Sequence, residues 1–385
     1  MELYIHIPFC ARKCAYCDFL SFADRDGLRE DYLAALIRDI ASHGEIASNG
    51  ETDMHGRTVD IAREPLLTSI YIGGGTPSRM PEGRYAKLFA AIREHFTIAG
   101  DAEISMECNP GTVSKEKLAE YREAGINRLS FGVQSADDAE LRKLSRIHTW
   151  EEAKKSFALA REAGFDNINL DLMVNLPGQT TESFLGTLTK AVSLSPEHIS
   201  AYSLILEEGT PMYARYAERP DLLPDEDTAS ETYLATVRFL AEQGYAQYEI
   251  SNFAKPGREC RHNIGYWKRE EYLGIGLGAA GLIGKKRYRV TADMETYLKA
   301  LTYESVESLS ENEIRNETVM LALRMNEGVD LAEYAAKYGN EDAEFVRGSL
   351  MKLEKEGLVT SEGSKIALTP RGMLVSNPIL AELMI

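Results

Sequence analysis

The residues with the most chemistry to offer lie near the start of the chain, in the segment that carries Cys10, Cys14 and Cys17. Their spacing is C-x3-C-x2-C, directly after the apolar run from Leu3 to Ile7. A loop this short can turn three thiolates toward one point, and thiolates are soft ligands that suit iron–sulfur clusters or zinc. Three ligands on a four-iron cluster leave one iron open, able to bind a small molecule and pass it an electron. A structural zinc site needs four closed ligands. The nearby fourth candidates are poorly placed, because Asp18 adjoins Cys17 and His6 sits near the end of the expected strand. A disulfide would leave one of the three cysteines unpaired. The spacing favours the cluster, with zinc and a disulfide as the alternatives.

The chain of 385 residues has room for two domains, or for one large domain with an appendage. Its 44% hydrophobic and 27% charged residues are the profile of a soluble globular protein. A formal charge of −17 speaks against nucleic acid as the main partner, since phosphate binding needs concentrated Lys and Arg. No apolar run reaches the roughly 18 residues of a membrane span, and the N-terminus carries no signal-peptide pattern. Five cysteines, three of them clustered, fit a reducing cytosol, so a cytoplasmic location is expected. Cys108 and Cys260 read as small buried thiols.

The elements that must position the cysteines follow from periodicity. Strands are expected at 2–7, 66–72, 102–107, 126–132, 167–174 and 199–204. Helices are expected at 28–43, 82–96, 115–124 and 181–194, and another between Thr149 and Gly164. Ser114 is placed as an N-cap, Gly125 as a stop, and Thr149 with Glu152 as a capping box. Residues 41–65 read as a surface excursion. Six strands alternating with helices predict an α/β fold of parallel units with right-handed crossovers. In such architectures ligands bind beyond the carboxyl ends of the strands. That places the cysteine loop, the run Gly73 to Thr76, Glu107, Gln134 and Asp171 on one rim. The glycines let backbone approach a ligand closely.

Followed by an aromatic residue, C-x3-C-x2-C resembles the signature of the radical S-adenosylmethionine superfamily. The words Tyr4–Cys10, Gly73–Pro77, Gly132–Gln134 and Tyr248–Phe253 resemble its oxygen-independent coproporphyrinogen dehydrogenase group. This resemblance implies a partial (β/α)6 barrel, open on one side, with a [4Fe–4S] cluster on Cys10, Cys14 and Cys17. It implies that Gly74, Gly75 and Thr76 hold the amino-acid end of S-adenosylmethionine, and that Tyr4, Tyr16, Glu107, Gln134, Arg146 and Asp171 line that cofactor. It also implies an electron donor such as a flavodoxin or ferredoxin. Taken singly, Glu107 and Asp171 read as structural carboxylates and Arg146 as a surface ion pair.

Within the group, the dehydrogenases carry a further cysteine two places after the third, where this chain has Phe19. They also carry a segment ahead of the first strand, whereas Met1 here stands nine residues before Cys10. Both departures speak against coproporphyrinogen decarboxylation. The word from Arg261 to Trp267, H-N-x-x-Y-W at its centre, resembles the haem-chaperone branch, which binds haem, delivers it to haem proteins and lacks the decarboxylase activity. The implied ligand is haem, with His262 as its axial ligand, and the implied partners are acceptor haem proteins, membrane-associated ones included. A neutral imidazole is a common ligand of haem iron, and Tyr266 and Trp267 could offer a flat apolar contact. On its own, His262 is one of seven histidines, and a Tyr–Trp pair is more often core. The alternatives are oxidative decarboxylation of coproporphyrinogen III and another radical-SAM reaction on haem.

After Pro211 the β/α rhythm stops. Residues 1–210 are read as the barrel, 211–308 as a connecting α+β region with the haem word, and 309–385 as a winged-helix-like module. A helix at 225–243 and a strand at 245–250 precede the haem word. Gly274, Gly276 and Gly278 alternate with apolar residues, but no β-α-β unit frames them as a nucleotide loop requires. Close packing against the open side of the barrel is expected instead. Helices at 311–325, 331–338 and 342–356 and a hairpin at 357–369 make the winged-helix pattern. Glu341, Asp342, Glu344, Glu354 and Glu356, beside few basic residues at its third helix, favour a docking or structural role over DNA binding.

Overall fold

The computed structural model describes residues 1–49 and 66–383. Its first six strands run parallel and pair in chain order: β1 (Glu2–Ile7), β2 (Leu66–Gly74), β3 (Thr97–Cys108), β4 (Arg128–Gln134), β5 (Ile168–Val174) and β6 (His198–Ser203). The connections carry α1 (Arg29–Asn49), α2 (Arg84–His95), α3 (Lys115–Ala124), α4 (Asp138–Lys143), α5 (Trp150–Glu162) and α6 (Thr181–Ser193). Ser114 caps α3, which stops at Gly125 with φ 106°, and Thr149 and Glu152 form the capping box of α5. Helix α1 runs on to Asn49, so the surface excursion expected from residue 41 begins as helix; its remainder, 50–65, lies outside the described residues.

Successive side chains of a strand point to opposite faces, and here the two faces differ in kind. Leu3, Ile5, Ile70, Ile72, Ile104, Met106, Leu129, Phe131, Leu170 and Ile199 join the main hydrophobic core with the helices. The other parity is polar: Ser69, Tyr71, Glu103, Ser105, Glu107, Arg128, Ser130, Asn169, Asp171, His198 and Ser200. The register aligns these residues across neighbouring strands, Tyr71 with Ser105, Ser105 with Arg128, Ser130 with Asn169, and Asp171 with Ser200. Parallel sheets covered on both faces ordinarily read as apolar throughout. A polar barrel interior is therefore a local exception, and it marks where a ligand belongs.

The chain then extends the sheet at both edges. After α7 (Pro211–Tyr216) and α8 (Glu226–Glu242), strand β7 (Ala246–Glu249) pairs antiparallel with β8 (Asn252–Ala254), which adds antiparallel to β6. The haem word forms a helix, α9 (Arg261–Trp267). Strand β9 (Tyr272–Ile275) pairs parallel with β1, and β10 (Ala280–Ile283), β11 (Lys286–Val290) and β12 (Tyr303–Ser308) continue outward to give a 12-stranded sheet. The glycine run packs closely, as expected, and its partner is the β1 edge and β10. A Cβ on Gly274 would sit 1.8 Å from the Ala280 carbonyl oxygen, and one on Gly276 2.8 Å from that of His6.

Beyond α10 (Met294–Lys299), a separate apolar cluster including Val319, Leu323, Val346, Leu350 and Ile366 unites α11 (Glu311–Ala322), α12 (Leu331–Tyr338) and α13 (Asn340–Leu350) with a three-stranded sheet. That sheet has β13 (Val329–Asp330), β14 (Val359–Glu362) and β15 (Lys365–Leu368), in the order β13-β15-β14. Helix α13 stops at Leu350 and gives way to a 3-10 turn through Glu356. No helix among the described residues is long and apolar enough to cross a membrane.

Candidate cofactor sites

A cavity of about 770 Å³ opens at the carboxyl ends of the strands. Cys10, Cys14, Cys17, Tyr4, Tyr16, Gly74, Gly75, Thr76, Glu107, Gln134, Arg146 and Asp171 all line it; His262 does not. The three thiols are free, Cys10 buried and Cys14 and Cys17 half-buried. Among the described residues no three His, Cys, Asp or Glu side chains are gathered as for a single metal ion. A four-iron cluster is larger than one ion and does not need its ligands that close.

The glycine run lies directly against the cysteine loop. A Cβ on Gly75 would come within 3.1 Å of Cys10 Sγ and 3.0 Å of the Phe9 backbone. Gly74 has φ 113°, and a Cβ there would lie 2.6 Å from the His6 ring. Only bare backbone fits both positions, which leaves a cradle of N–H and C=O groups beside the thiols. Thr76 donates its hydroxyl toward Cys10 Sγ at 3.7 Å. Arg146 points inward rather than to a surface ion pair: it donates to Cys14 Sγ at 3.5 Å and to the Gly132 carbonyl and Asn109 Oδ1 at 2.6 Å each. Its charge therefore stands beside the place a thiolate needs it. These features fit a [4Fe–4S] cluster held by the three cysteines.

The carboxylates sit deeper. Glu107 accepts from the Gly74 N–H and from the Tyr71 hydroxyl, each at 3.1 Å. Burial, with the charge of Asp171 adding to it, pushes Glu107 up to about 7. Asp171 accepts from Ser130 at 3.0 Å and Asn169 at 2.6 Å, and burial raises it as well. Gln134, at φ 71°, accepts from the Tyr202 hydroxyl at 2.6 Å. The Tyr4 hydroxyl meets His6 Nδ1 at 3.0 Å. Phe19 lies 69% exposed at the cavity mouth.

Tyr71, Asn109, Arg128 and Tyr202 also line the cavity and escaped the sequence reading. The signal was parity. Tyr71 and Arg128 share the polar face with Glu107 and Asp171, Tyr202 stands two places after Ser200, and Asn109 stands two after Glu107.

Helix α9 is seated elsewhere, at the start of β1. Gly265 lets it lie there, since a Cβ would fall 2.1 Å from Glu2 Oε1. Glu103 accepts the N–H groups of Arg261 at 3.1 Å and His262 at 3.4 Å, satisfying donors that a helix start leaves free. His262 is 1% exposed. Its Nδ1 meets Ser69 Oγ at 2.7 Å, its Nε2 meets the Tyr266 hydroxyl at 3.0 Å, and its ring stacks on Tyr71 at 5.2 Å. Burial, then the positive Arg128, brings His262 down to about 3. Glu2 approaches it at 3.8 Å, but burial pushes Glu2 up to about 8. At neutral pH the two are uncharged neighbours, not an ion pair. Both nitrogens of His262 are thus occupied, whereas the thiols and glycine cradle already face open space. Tyr71 touches both places, its ring on His262 and its hydroxyl on Glu107.

The barrel and its cysteine rim define a radical-SAM protein: residues 4–191 match the Radical SAM superfamily, and residues 309–375 match the HemN C-terminal domain. Among solved structures, the Escherichia coli coproporphyrinogen III oxidase HemN, described as a radical SAM enzyme, superposes with a TM-score of 0.82 at 25% identity, over 100% of this chain and 89% of its own. Among curated relatives, the heme chaperone HemW of Bacillus subtilis is 37% identical, over 98% of this chain and 97% of its own length. Those of Escherichia coli (35%; 99% and 97%) and Mycobacterium tuberculosis (34%; 99% and 94%) are similar to nearly the same extent. The chain belongs to the HemW family of heme chaperones.

Proposed function

We propose that this chain binds haem and hands it to acceptor haem proteins, membrane-associated ones included, from the cytoplasm. The observation that carries this reading is the full-length likeness to heme chaperones, 37% identical to that of Bacillus subtilis against 25% for the coproporphyrinogen III oxidase. Phe19, standing where the dehydrogenase pattern has a further cysteine, points the same way. His262 is the axial ligand in this reading. Burial keeps its ring neutral, the form that binds iron. To reach iron, one nitrogen must leave Ser69 or Tyr266.

The rim holds a [4Fe–4S] cluster on Cys10, Cys14 and Cys17. Gly74, Gly75 and Thr76 take the amino-acid end of S-adenosylmethionine, and Tyr4, Tyr16, Glu107, Gln134, Arg146 and Asp171 line it. When bound and reduced by an outside donor of the flavodoxin or ferredoxin class, the cluster supplies single electrons. The residues themselves orient the cofactor, and its positive charges would favour the ionised forms of Glu107 and Asp171, which burial otherwise opposes. We also propose the division of labour 1–210 for the cluster and S-adenosylmethionine, 211–308 for haem, and 309–385 as a docking module.

The second reading, oxidative decarboxylation of coproporphyrinogen III, is favoured by the TM-score of 0.82 to an enzyme described as performing radical SAM chemistry. Anaerobic incubation of the reconstituted chain with S-adenosylmethionine and either haem or coproporphyrinogen III separates the two. The expected result is stable haem binding with no porphyrin conversion. Multiple turnovers to protoporphyrinogen would overturn the carrier reading.

A further inference from the structure

A second cavity, of about 290 Å³, lies between α9, the β9–β11 edge and α11. Its walls are aromatic and aliphatic, with Tyr4, Tyr266, Tyr272 and Leu282 among them; its polar end is Arg269, Arg287 and Glu317. Both guanidiniums converge on one carboxylate. Arg269 Nε donates to Glu317 Oε2 at 2.9 Å, and Arg287 Nη2 donates to Glu317 Oε1. Arg287 also reaches the exposed Glu307 at 3.4 Å.

Arg269 is the unusual member. Its φ of 55° closes α9: the Glu270 N–H donates to the Gly265 carbonyl at 2.8 Å and the Arg269 N–H to that of Tyr266 at 3.1 Å, the usual left-handed helix stop. Its side chain is 10% exposed, and its Nη2 is buried without a hydrogen-bond partner. A buried guanidinium with an open donor is costly unless an anion completes it. An open guanidinium donor at the polar end of an aromatic-walled cavity is where an anionic ligand would find a partner. An aromatic wall leading to two arginines suits a flat apolar molecule with carboxylates on one edge.

We propose that this cavity seats the carboxylate edge of a porphyrin: Arg269 and Arg287 take its propionates, and its ring lies against Tyr266 and Tyr272. The proposal rests on the haem-carrier reading and supplies the binding surface that reading lacks. Tyr266 both lines this cavity and holds His262 Nε2, so a ring entering here meets one of the two partners whose release would let His262 reach iron. The volume of about 290 Å³ falls just short of the roughly 300–1,000 Å³ of small-molecule pockets. The cavity therefore encloses one edge and leaves the rest of the ring accessible, as a cargo to be handed on requires. Tyr4 lines both cavities and forms part of the wall toward the cluster.

The test is a haem titration of the full chain in parallel with haem dimethyl ester, whose propionates are capped and uncharged. In Arg269→Gln the haem Kd should rise on the order of tenfold, the effect of losing a charge-assisted bond, while ester binding changes little. Arg287→Gln, at a more exposed position, should act in the same direction and decides the matter if the first variant fails to fold. Glu317→Gln should tighten haem, because the competing carboxylate is gone; a purely structural role for Glu317 would weaken haem or leave it unchanged. Unchanged haem binding in both arginine variants, or equal losses for haem and ester, would overturn the clamp alone. A wild-type chain that binds neither porphyrin would overturn the carrier reading and the clamp with it.

Discussion

The cysteine rim and helix α9 share one sheet and touch through Tyr71, yet they are built on opposite plans. At the rim, cysteines, glycine backbone and carboxylates face an open cavity of about 770 Å³. At α9 the proposed ligand is 1% exposed, and both of its nitrogens are engaged. A cofactor kept for the life of the protein is best served by a preformed site. A cargo that must leave again is better served by a ligand that has another partner to return to. Residence and transfer thus place different demands on burial.

Removing either site should leave the other intact. Cys14→Ser should drop cluster iron and sulfide to background after anaerobic reconstitution, with haem affinity little changed. His262→Ala should do the reverse. Losing a direct ligand should cost haem affinity at least the roughly 100-fold seen for strong outer-shell losses, with a changed haem spectrum and full cluster content.

Acid and base should separate the two sites on the cofactor-free chain. Glu107 is raised from 4.5 to about 7, so between those values the folded chain holds a proton that the unfolded chain has released. The stability tied to Glu107 therefore falls as pH rises through that window. His262 is lowered from 6.5 to about 3, so there the unfolded chain holds the extra proton, and the stability tied to His262 falls as pH drops. Urea midpoints measured across pH should show the upper slope flattened in Glu107→Gln and the lower slope flattened in His262→Gln. The smallest expected effect is that of Tyr266→Phe. It removes one neutral hydrogen bond from His262, about 1 kcal/mol net, and should speed haem association about fivefold in stopped-flow traces.

Much of this was legible in the sequence. Helical spacing and capping residues located α3 and α5, and the alternation of strands and helices located the rim. The cysteine spacing and glycine run named residues that the fold does bring to one cavity. What escaped depended on long-range pairing. The return of β9 to the β1 edge joins residues some 270 positions apart, as Glu2 and Tyr272 show, and no local period records such pairing. The polar parity of β2 to β6 was present in the sequence but becomes meaningful only once the opposite face is known to be covered by helices. The burial of His262 depends on Ser69, Tyr71, Glu2 and Tyr266 meeting from three elements, so the haem word alone reveals the residue and not its closure.

The rate of haem binding reads that closure directly. The observed rate of the haem spectral change should be followed against haem concentration in the wild-type chain. A ligand that must first leave Ser69 or Tyr266 predicts a rate that levels off at the opening rate, with a higher plateau in Tyr266→Phe. A rate that climbs linearly with haem concentration throughout, and is unmoved by Tyr266→Phe, would contradict a closed His262.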